Sequence, residues 1–352
     1  MTSMEQKIAE LRKRMRDVTP LDDEENFFTS DETLARFLKS RDWNLDEAER
    51  MLKATVEYRR ETRPLRLDCE WCHKRPGFHS MRQIGFDESG RPVMYSNFMQ
   101  TSTHKNSLDD SITHCTYLIE QAKKTMKPGV TTWVFIIDCT GMTLQSCNPK
   151  LGYGVTQIMS NHYPERLGLV ICLNHSPVFH GVWKAIKVFL HPNTVSKMKL
   201  VRSKSRILST FQKYFPDELT NWLMDEIRLN KTKPLPKAQQ EFWNKPAELS
   251  AHDPRGCPSY VKDFIEPFLH KSQSKDRLNV HIPHPNIVDS IEKRVTAVTL
   301  SPEEARELAK ARAVTMETGG SESDDENYEI EISEEFQIPK GANKLPVSDM
   351  LS

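Results

Sequence analysis

The sequence lacks any run of about 20 consecutive apolar residues, the length that spans a bilayer, so any membrane contact is expected to be peripheral. It also lacks a surplus of charge. Its 49 basic residues balance 49 acidic ones, whereas a nucleic-acid binder shows a strong basic excess, and no nucleic-acid partner is expected. Cysteine is scarce: seven, an odd number at irregular spacing, make no disulfide framework and imply reduced thiols in the cytoplasm. The start, Met1 to Lys7, has no apolar stretch of the secretory kind, and no export signal is expected. There is no G-x-S-x-G elbow, no P-loop and no internal repeat, so neither an esterase nor a nucleotide-driven enzyme is indicated. Apolar residues make up only 37%, so a real core must coexist with segments that add nothing to it.

What is present falls into three parts. In the first, residues 1–75, apolar positions recur at helical spacing. Leu11, Met15 and Val18 form one stripe. Ser30 and Asp31 can cap a helix carrying Leu34, Phe37 and Leu38, which breaks near Asp42. Asn44, with Glu47 three residues on, starts another helix striped by Ala48, Met51, Leu52 and Val56, which stops before Pro64. Such helices bury one face each and must pack on something larger.

In the second part, residues 76–235, strands and helices alternate. Gly90 to Tyr95 reads as a turn entering a strand, Leu108 to Met126 as a helix, and Thr131 to Asp138 as a strand buried on both faces. Residues 150–162 read as a helix, Leu169 to Asn174 as a strand, Val178 to Leu190 as a helix, and Met198 to Val201 as a strand. The expected fold class is α/β, with a mostly parallel sheet, right-handed crossovers and the N-terminal helical module packed on it. The third part, residues 236–352, is punctuated by proline. It holds an isolated helix from Pro302 to Val314 capped by Ser301, and an acidic run from Ser321 to Glu335 expected to be disordered. Ser321 and Ser323, each followed by acids, are candidate sites for an acidophilic kinase.

The most informative stretch runs from Tyr163 to Val201. It opens Tyr163-Pro164-Glu165-Arg166-Leu167-Gly168 and passes through the strand to Asn174. A helix rich in apolar residues follows, and the stretch closes Pro192-Asn193-Thr194-Val195-Ser196-Lys197. In this order the motifs resemble the CRAL-TRIO lipid-binding family, in its branch of yeast-type phosphatidylinositol transfer proteins. Leu34 to Arg41 and Arg59 are similar to the family's helical lead-in, Gly90-Arg91-Pro92-Val93 to its first strand, and Ile137-Asp138 to its central one. The resemblance covers roughly residues 5–230.

The resemblance implies that the α/β domain encloses an apolar cavity holding phosphatidylinositol. It implies a headgroup site of Arg41, Glu165, Thr194 and Lys197, with Arg166 beside it. The chemistry of these residue types suits an inositol phosphodiester. Lys197 supplies a positive point charge and Thr194 a hydroxyl donor. Glu165 accepts from inositol hydroxyls, and Arg41 can hold that carboxylate. A helical turn after Pro192 would add backbone N–H donors. The family's phosphatidylcholine site uses hydroxyls on the central strand and a tyrosine near the first. Those positions hold Trp133, Phe135 and Met94, so a second lipid ligand stays open.

Two acyl chains with roughly 30 methylenes, at ~0.8 kcal/mol each, amount to about 24 kcal/mol, too much for release through water. The cavity must therefore open only against a bilayer. The candidate gate is the helix bearing Val178, Phe179, Val182, Trp183, Ile186 and Phe189, with Lys184 and Lys187 to meet anionic headgroups. Trp133 and Phe135 are candidate cavity residues.

Phospholipid binding and transfer without catalysis is thus the leading expectation, by a monomer that visits membranes from the cytoplasm. A lipid-sensing scaffold without transfer is the alternative, and the acidic tail is a candidate docking segment for a protein partner. No cofactor is expected beyond the bound phospholipid. Cys69-Glu70-Trp71-Cys72-His73 matches a c-type haem pattern. Without an export signal, and without a second ligand pair at suitable spacing, neither haem nor zinc is expected there.

Overall fold

The computed structural model describes residues 3–67, 69, 77–100, 107–143, 149–176, 179, 183, 184, 187, 190, 192–240 and 242. The isolated helix, the acidic run and Ser321 and Ser323 lie outside the described residues.

Three helices open the chain: α1 (Ser3–Arg14), α2 (Asp31–Lys39) and α3 (Leu45–Thr62). The caps expected from sequence form. Ser30 accepts from the Thr33 N–H at 3.3 Å, and Asn44 accepts from Asp46 and Glu47 at 3.1 and 3.2 Å. Helix α3 ends with Arg63 in the left-handed region, immediately before Pro64. The apolar stripes meet in one cluster of Leu11, Met15, Leu34, Phe37, Leu38, Leu52 and Val56. At about 1.5–3 kcal/mol for each large side chain buried, this cluster is what holds three short helices together.

The remainder is a five-stranded sheet in chain order: β1 (Arg82–Phe86), β2 (Pro92–Asn97), β3 (Trp133–Asp138), β4 (Leu167–Leu173) and β5 (Met198–Val201). Only β1 is antiparallel to its neighbour, across a turn where Gly90 takes a φ of +75°. Helix α4 (Leu108–Thr125) connects β2 to β3, and α5 (Pro149–His162) connects β3 to β4. Right-handed crossovers between strands laid down in one direction put these helices on one face of the sheet. The short α6 (Pro192–Ser196) leads into β5. Helices α7 (Lys204–Tyr214) and α8 (Asp217–Asn230) cover the other face, packing Phe211, Trp222, Leu223 and Ile227 against Val134, Ile136, Ile171 and Leu173.

Buried polar clusters fix the assembly. Asp138 accepts from Asn97 at 2.7 Å and Asn174 at 2.8 Å, tying together the C-terminal ends of β2, β3 and β4. Between the helical module and α4, Arg59 donates to Glu120 at 2.8 Å and also pairs with Glu24. Glu120 further accepts from Tyr163 at 2.7 Å and from Lys123 at 2.8 Å. Burial alone would raise the Glu120 carboxyl, but Arg59 and Lys123 outweigh it and hold it down at about 2.

Residues 237–240 and 242 do not behave as a linker. Helix α9 (Lys237–Gln240) brings Gln239 to Glu226 and Asn230, both at 2.8 Å, and Phe242 lies 4.3 Å from the buried Arg82 guanidinium. The linker expected from 236 therefore starts no earlier than 243. The sequence patterns stated above also omit β1, α7 and α8.

Candidate functional site

Side chains alternate across a strand, so β3 sends Val134 and Ile136 to the filled face and Phe135 and Ile137 to the other. On that second face α4 and α5 do not close down onto the sheet. They leave a cavity of about 660 Å³, within the range of small-molecule sites. Its interior is apolar: Phe135, Ile137 and Val170 from the sheet, Val155 and Met159 from α5, and Cys115 from α4. No helix among the described residues is long and apolar enough to cross a membrane.

At the N-terminal ends of β4 and β5 the wall turns polar. Arg41, Glu165, Thr194 and Lys197 all line the cavity there. Each is positioned by local structure. Arg41 precedes two consecutive residues with positive φ, Asp42 at 49° and Trp43 at 61°, which turn the corner between α2 and α3. Its guanidinium donates to the Ser40 carbonyl at 2.9 Å, and burial lowers its pKa. Glu165 itself has a φ of 55°, a conformation costly for an L residue and tolerated where the surroundings over-determine it. Thr194 lies on α6, its carbonyl accepting from the Lys197 N–H at 3.2 Å. The Lys197 carbonyl in turn accepts from the Val170 N–H at 2.9 Å, which ties this turn to β4.

The pairing within the set differs from expectation. Lys39, not Arg41, meets Glu165, at 3.2 Å, and Asn193 donates to the other carboxylate oxygen at 3.3 Å. Arg166 is not among the cavity-lining residues. Its side chain donates to the Thr131 carbonyl at 2.9 Å and pairs with Glu32 at 3.4 Å, so it joins the helical module to the sheet. The left-handed turn at Glu165 explains why sequence neighbours diverge. Trp133 likewise does not line the cavity. It is fully buried beside Tyr163, with ring centroids 6.2 Å apart.

Of the expected gate, Val178, Val182, Ile186 and Phe189 lie outside the described residues. Phe179 and Trp183 are helical, buried and line the cavity, while Lys184 and Lys187 are exposed.

Residues that sequence alone did not bring out include Lys39, Trp43 and a second polar group at the C-terminal end of β2. There His79, Ser80, Ser96, Ser111 and His114 line the cavity, with the Ser80 and Ser96 hydroxyls 3.1 Å apart. Close packing also accounts for Gly168 in the Tyr-Pro-Glu-Arg-x-Gly motif. A Cβ there would lie 3.0 Å from the Trp133 carbonyl oxygen and 2.8 Å from Arg91.

Comparison with known proteins follows the same division. The profile of the CRAL/TRIO domain matches residues 81–221, and that of the CRAL/TRIO N-terminal domain matches residues 7–54, together more than half of the chain. Among curated relatives, a CRAL-TRIO domain-containing protein of Schizosaccharomyces pombe is 31% identical over 49% of this chain and 41% of its own length. The SEC14 cytosolic factor of Yarrowia lipolytica is 25% identical over 67% of this chain and 52% of its own. The phosphatidylinositol transfer protein PDR17 of Saccharomyces cerevisiae is 27% identical over 51% and 54%. The chain thus spans about half or less of the length of these relatives. A crystal structure of Sfh5 superposes with a TM-score of 0.49 at 17% identity, covering 60% of this chain and 83% of that one. The two profiles fall on the helical module and on the sheet with its crossover helices, in the order in which the motifs run, and the chain belongs to the CRAL-TRIO family.

Proposed function

We propose that this chain holds one phospholipid, phosphatidylinositol, in the cavity and exchanges it at membrane surfaces without catalysing any reaction. The observation that carries this reading is an apolar cavity of about 660 Å³ whose wall at one end is lined by Arg41, Glu165, Thr194 and Lys197. Acyl chains need the apolar interior. A phosphodiester needs the ammonium and the hydroxyl, and inositol hydroxyls need the Glu165 acceptor. Both Glu165 oxygens already have partners, yet each keeps lone-pair capacity, so the carboxylate is oriented without being used up. The name of the relative PDR17, a phosphatidylinositol transfer protein, supports the same ligand.

Phe179 and Trp183 face the cavity while Lys184 and Lys187 face outward, the polarity a gate needs if it opens on an anionic surface. The proposed setting is the cytoplasm, with transient visits to membranes by a monomer. The relative named a cytosolic factor accords with that setting.

Native mass spectrometry of the full chain purified from cells tests the ligand. One bound inositol phospholipid is expected, and an empty chain copurifying with proteins would favour the lipid-sensing scaffold. The double substitution Thr194→Ala, Lys197→Ala removes one charged and one neutral hydrogen-bonding group. It should lower phosphatidylinositol transfer between vesicles at least about tenfold while the fold survives. Unchanged transfer by the folded variant would refute the headgroup assignment.

A further inference from the structure

Cys69, His79 and His114 come together although they lie on three separate parts of the chain. Cys69 belongs to the connection between α3 and β1, His79 leads into β1, and His114 sits on α4. All three are buried, and one potential ligand atom from each lies within 4.8 Å of the other two. We propose that these three side chains bind a zinc ion that clamps the connection between the helical module and the sheet onto α4.

Four observations carry the site. The first is spacing. Tetrahedral zinc with a sulfur at about 2.3 Å and an imidazole nitrogen at about 2.0–2.1 Å puts those two atoms about 3.6 Å apart. Cys69 Sγ and His79 Nδ1 are 3.5 Å apart. The second is the closeness of the two rings. His79 and His114 stack with centroids 4.0 Å apart and planes 13° from parallel, a metal-free packing from which one ring must turn so that both in-plane lone pairs meet one ion. The third is the support behind one ligand. His114 Nε2 lies 2.9 Å from the Met81 carbonyl oxygen. A proton on Nε2 makes that contact a hydrogen bond and leaves Nδ1 as a lone-pair donor. Metal-binding histidines are held this way, the second ring nitrogen donating to a backbone carbonyl that fixes the tautomer. The fourth is burial itself, which keeps the cluster from bulk water.

The donor set suits the metal. One thiolate and two neutral imidazoles fit a borderline-soft cation with no geometric demand of its own. Three protein donors leave the fourth position of the tetrahedron to a water or another ligand, on the side where His79 and His114 line the cavity. Binding releases the Cys69 thiol proton to solvent and forms one Zn–S and two Zn–N bonds, with no change of oxidation state. Sequence alone offered only the Cys69-x-x-Cys72 pair. Folding supplies two histidines, 10 and 45 positions downstream, and no spacing rule would have joined them. His79 and His114 also line the cavity, at the end away from Thr194 and Lys197. A zinc ion here would stiffen that end, whether or not a lipid is present.

Elemental analysis of the full chain, expressed in zinc-supplemented medium and desalted, gives the direct test. About one zinc per chain is expected. Cys69→Ser and His114→Asn should each cut that content at least about tenfold, since each removes one of three donors. Because either variant could fail to fold, the wild-type chain stripped by chelator and refilled with Co(II) gives a second measurement. A thiolate-to-cobalt charge-transfer band in the near ultraviolet is expected, together with the intense visible bands of tetrahedral cobalt. Chelation should also lower the melting temperature of the wild type and leave that of Cys69→Ser unmoved. A wild-type chain that carries no zinc and shows no thiolate band with cobalt would overturn the proposal, leaving a thiol–imidazole hydrogen bond in its place. Copper or iron in place of zinc would overturn the metal assigned. Zinc retained at full stoichiometry by a folded Cys69→Ser variant would overturn the site.

Discussion

On β3, Val134 and Ile136 project to one side of the sheet and Phe135 and Ile137 to the other, and the two sides end in different states. The first side is solid. Val134, Ile136, Ile171 and Leu173 are fully buried under Phe211, Trp222 and Leu223 of α7 and α8. The second side carries residues just as apolar, but α4 and α5 stand off and enclose about 660 Å³. Apolar composition therefore does not distinguish solid core from cavity wall in this domain. The difference lies in what covers each face. Two consecutive helices seal one side, whereas the crossover helices α4 and α5 stand off from the other.

The largest effect expected from that contrast comes from the solid side. Phe211 is fully buried, and Phe211→Ala should lower stability by about 3–5 kcal/mol in denaturant unfolding, since truncation creates a cavity. Phe135→Ala deletes a ring of the same size on the hollow side. It enlarges an existing space and should cost below about 2 kcal/mol in the lipid-free chain. Equal losses at the two positions would mean that the cavity collapses when empty.

Next in size is the cluster that spans the hollow side's edge. Glu120 is buried with Arg59, Lys123 and Tyr163, and breaking a buried ion pair from one partner costs about 3–5 kcal/mol. Glu120→Gln should approach the lower value, because Arg59 keeps Glu24. The carboxyl is depressed from its usual 4.5 to about 2. Its contribution is therefore complete above about pH 4.5 and is lost as pH falls toward about 2. Stability of the wild type measured across that window should fall, by up to about 3 kcal/mol from this group. The Glu120→Gln variant should show a shallower acid slope, and an identical slope would assign acid unfolding to other carboxylates.

Much of this arrangement was legible in the residues, and the exceptions share a cause. Ser30 and Asn44 announce their helices because a cap is a contact over three residues. Thr131 to Asp138 and Leu169 to Asn174 read as buried strands because a run of apolar residues has few other homes. Strand β1 resisted for the opposite reason. Arg82 and Gln83 are buried there, and the partner that makes Arg82 tolerable, Glu226 at 3.0 Å, stands 144 positions away. Helices α7 and α8 were within reach, since Ile207 with Phe211 and Leu219 with Trp222, Leu223 and Ile227 keep helical spacing. Motif order brought Arg41, Glu165, Thr194 and Lys197 to one cavity. Which cation meets Glu165, and that Arg166 turns away, depend on backbone angles at Asp42, Trp43 and Glu165 that residue types leave open.

The smallest effect on stability, and the finest test of the hollow side, concerns that cation. Lys39 keeps 65% of its side chain exposed, so its pair with Glu165 is screened and Lys39→Ala should change stability by no more than about 0.5 kcal/mol. Its effect on the ligand is separable. Without Lys39, the Glu165 carboxylate loses one of its two described contacts, keeps the Asn193 amide at 3.3 Å and is freer to rotate. Phosphatidylinositol binding should then weaken a few-fold, while binding of a phospholipid whose headgroup lacks hydroxyls should not change. Arg41→Ala, measured beside it with the same two lipids, separates the two cations. A loss confined to Arg41→Ala would give the carboxylate-holding role to Arg41 once lipid is bound, and leave the Lys39 contact as a surface pair.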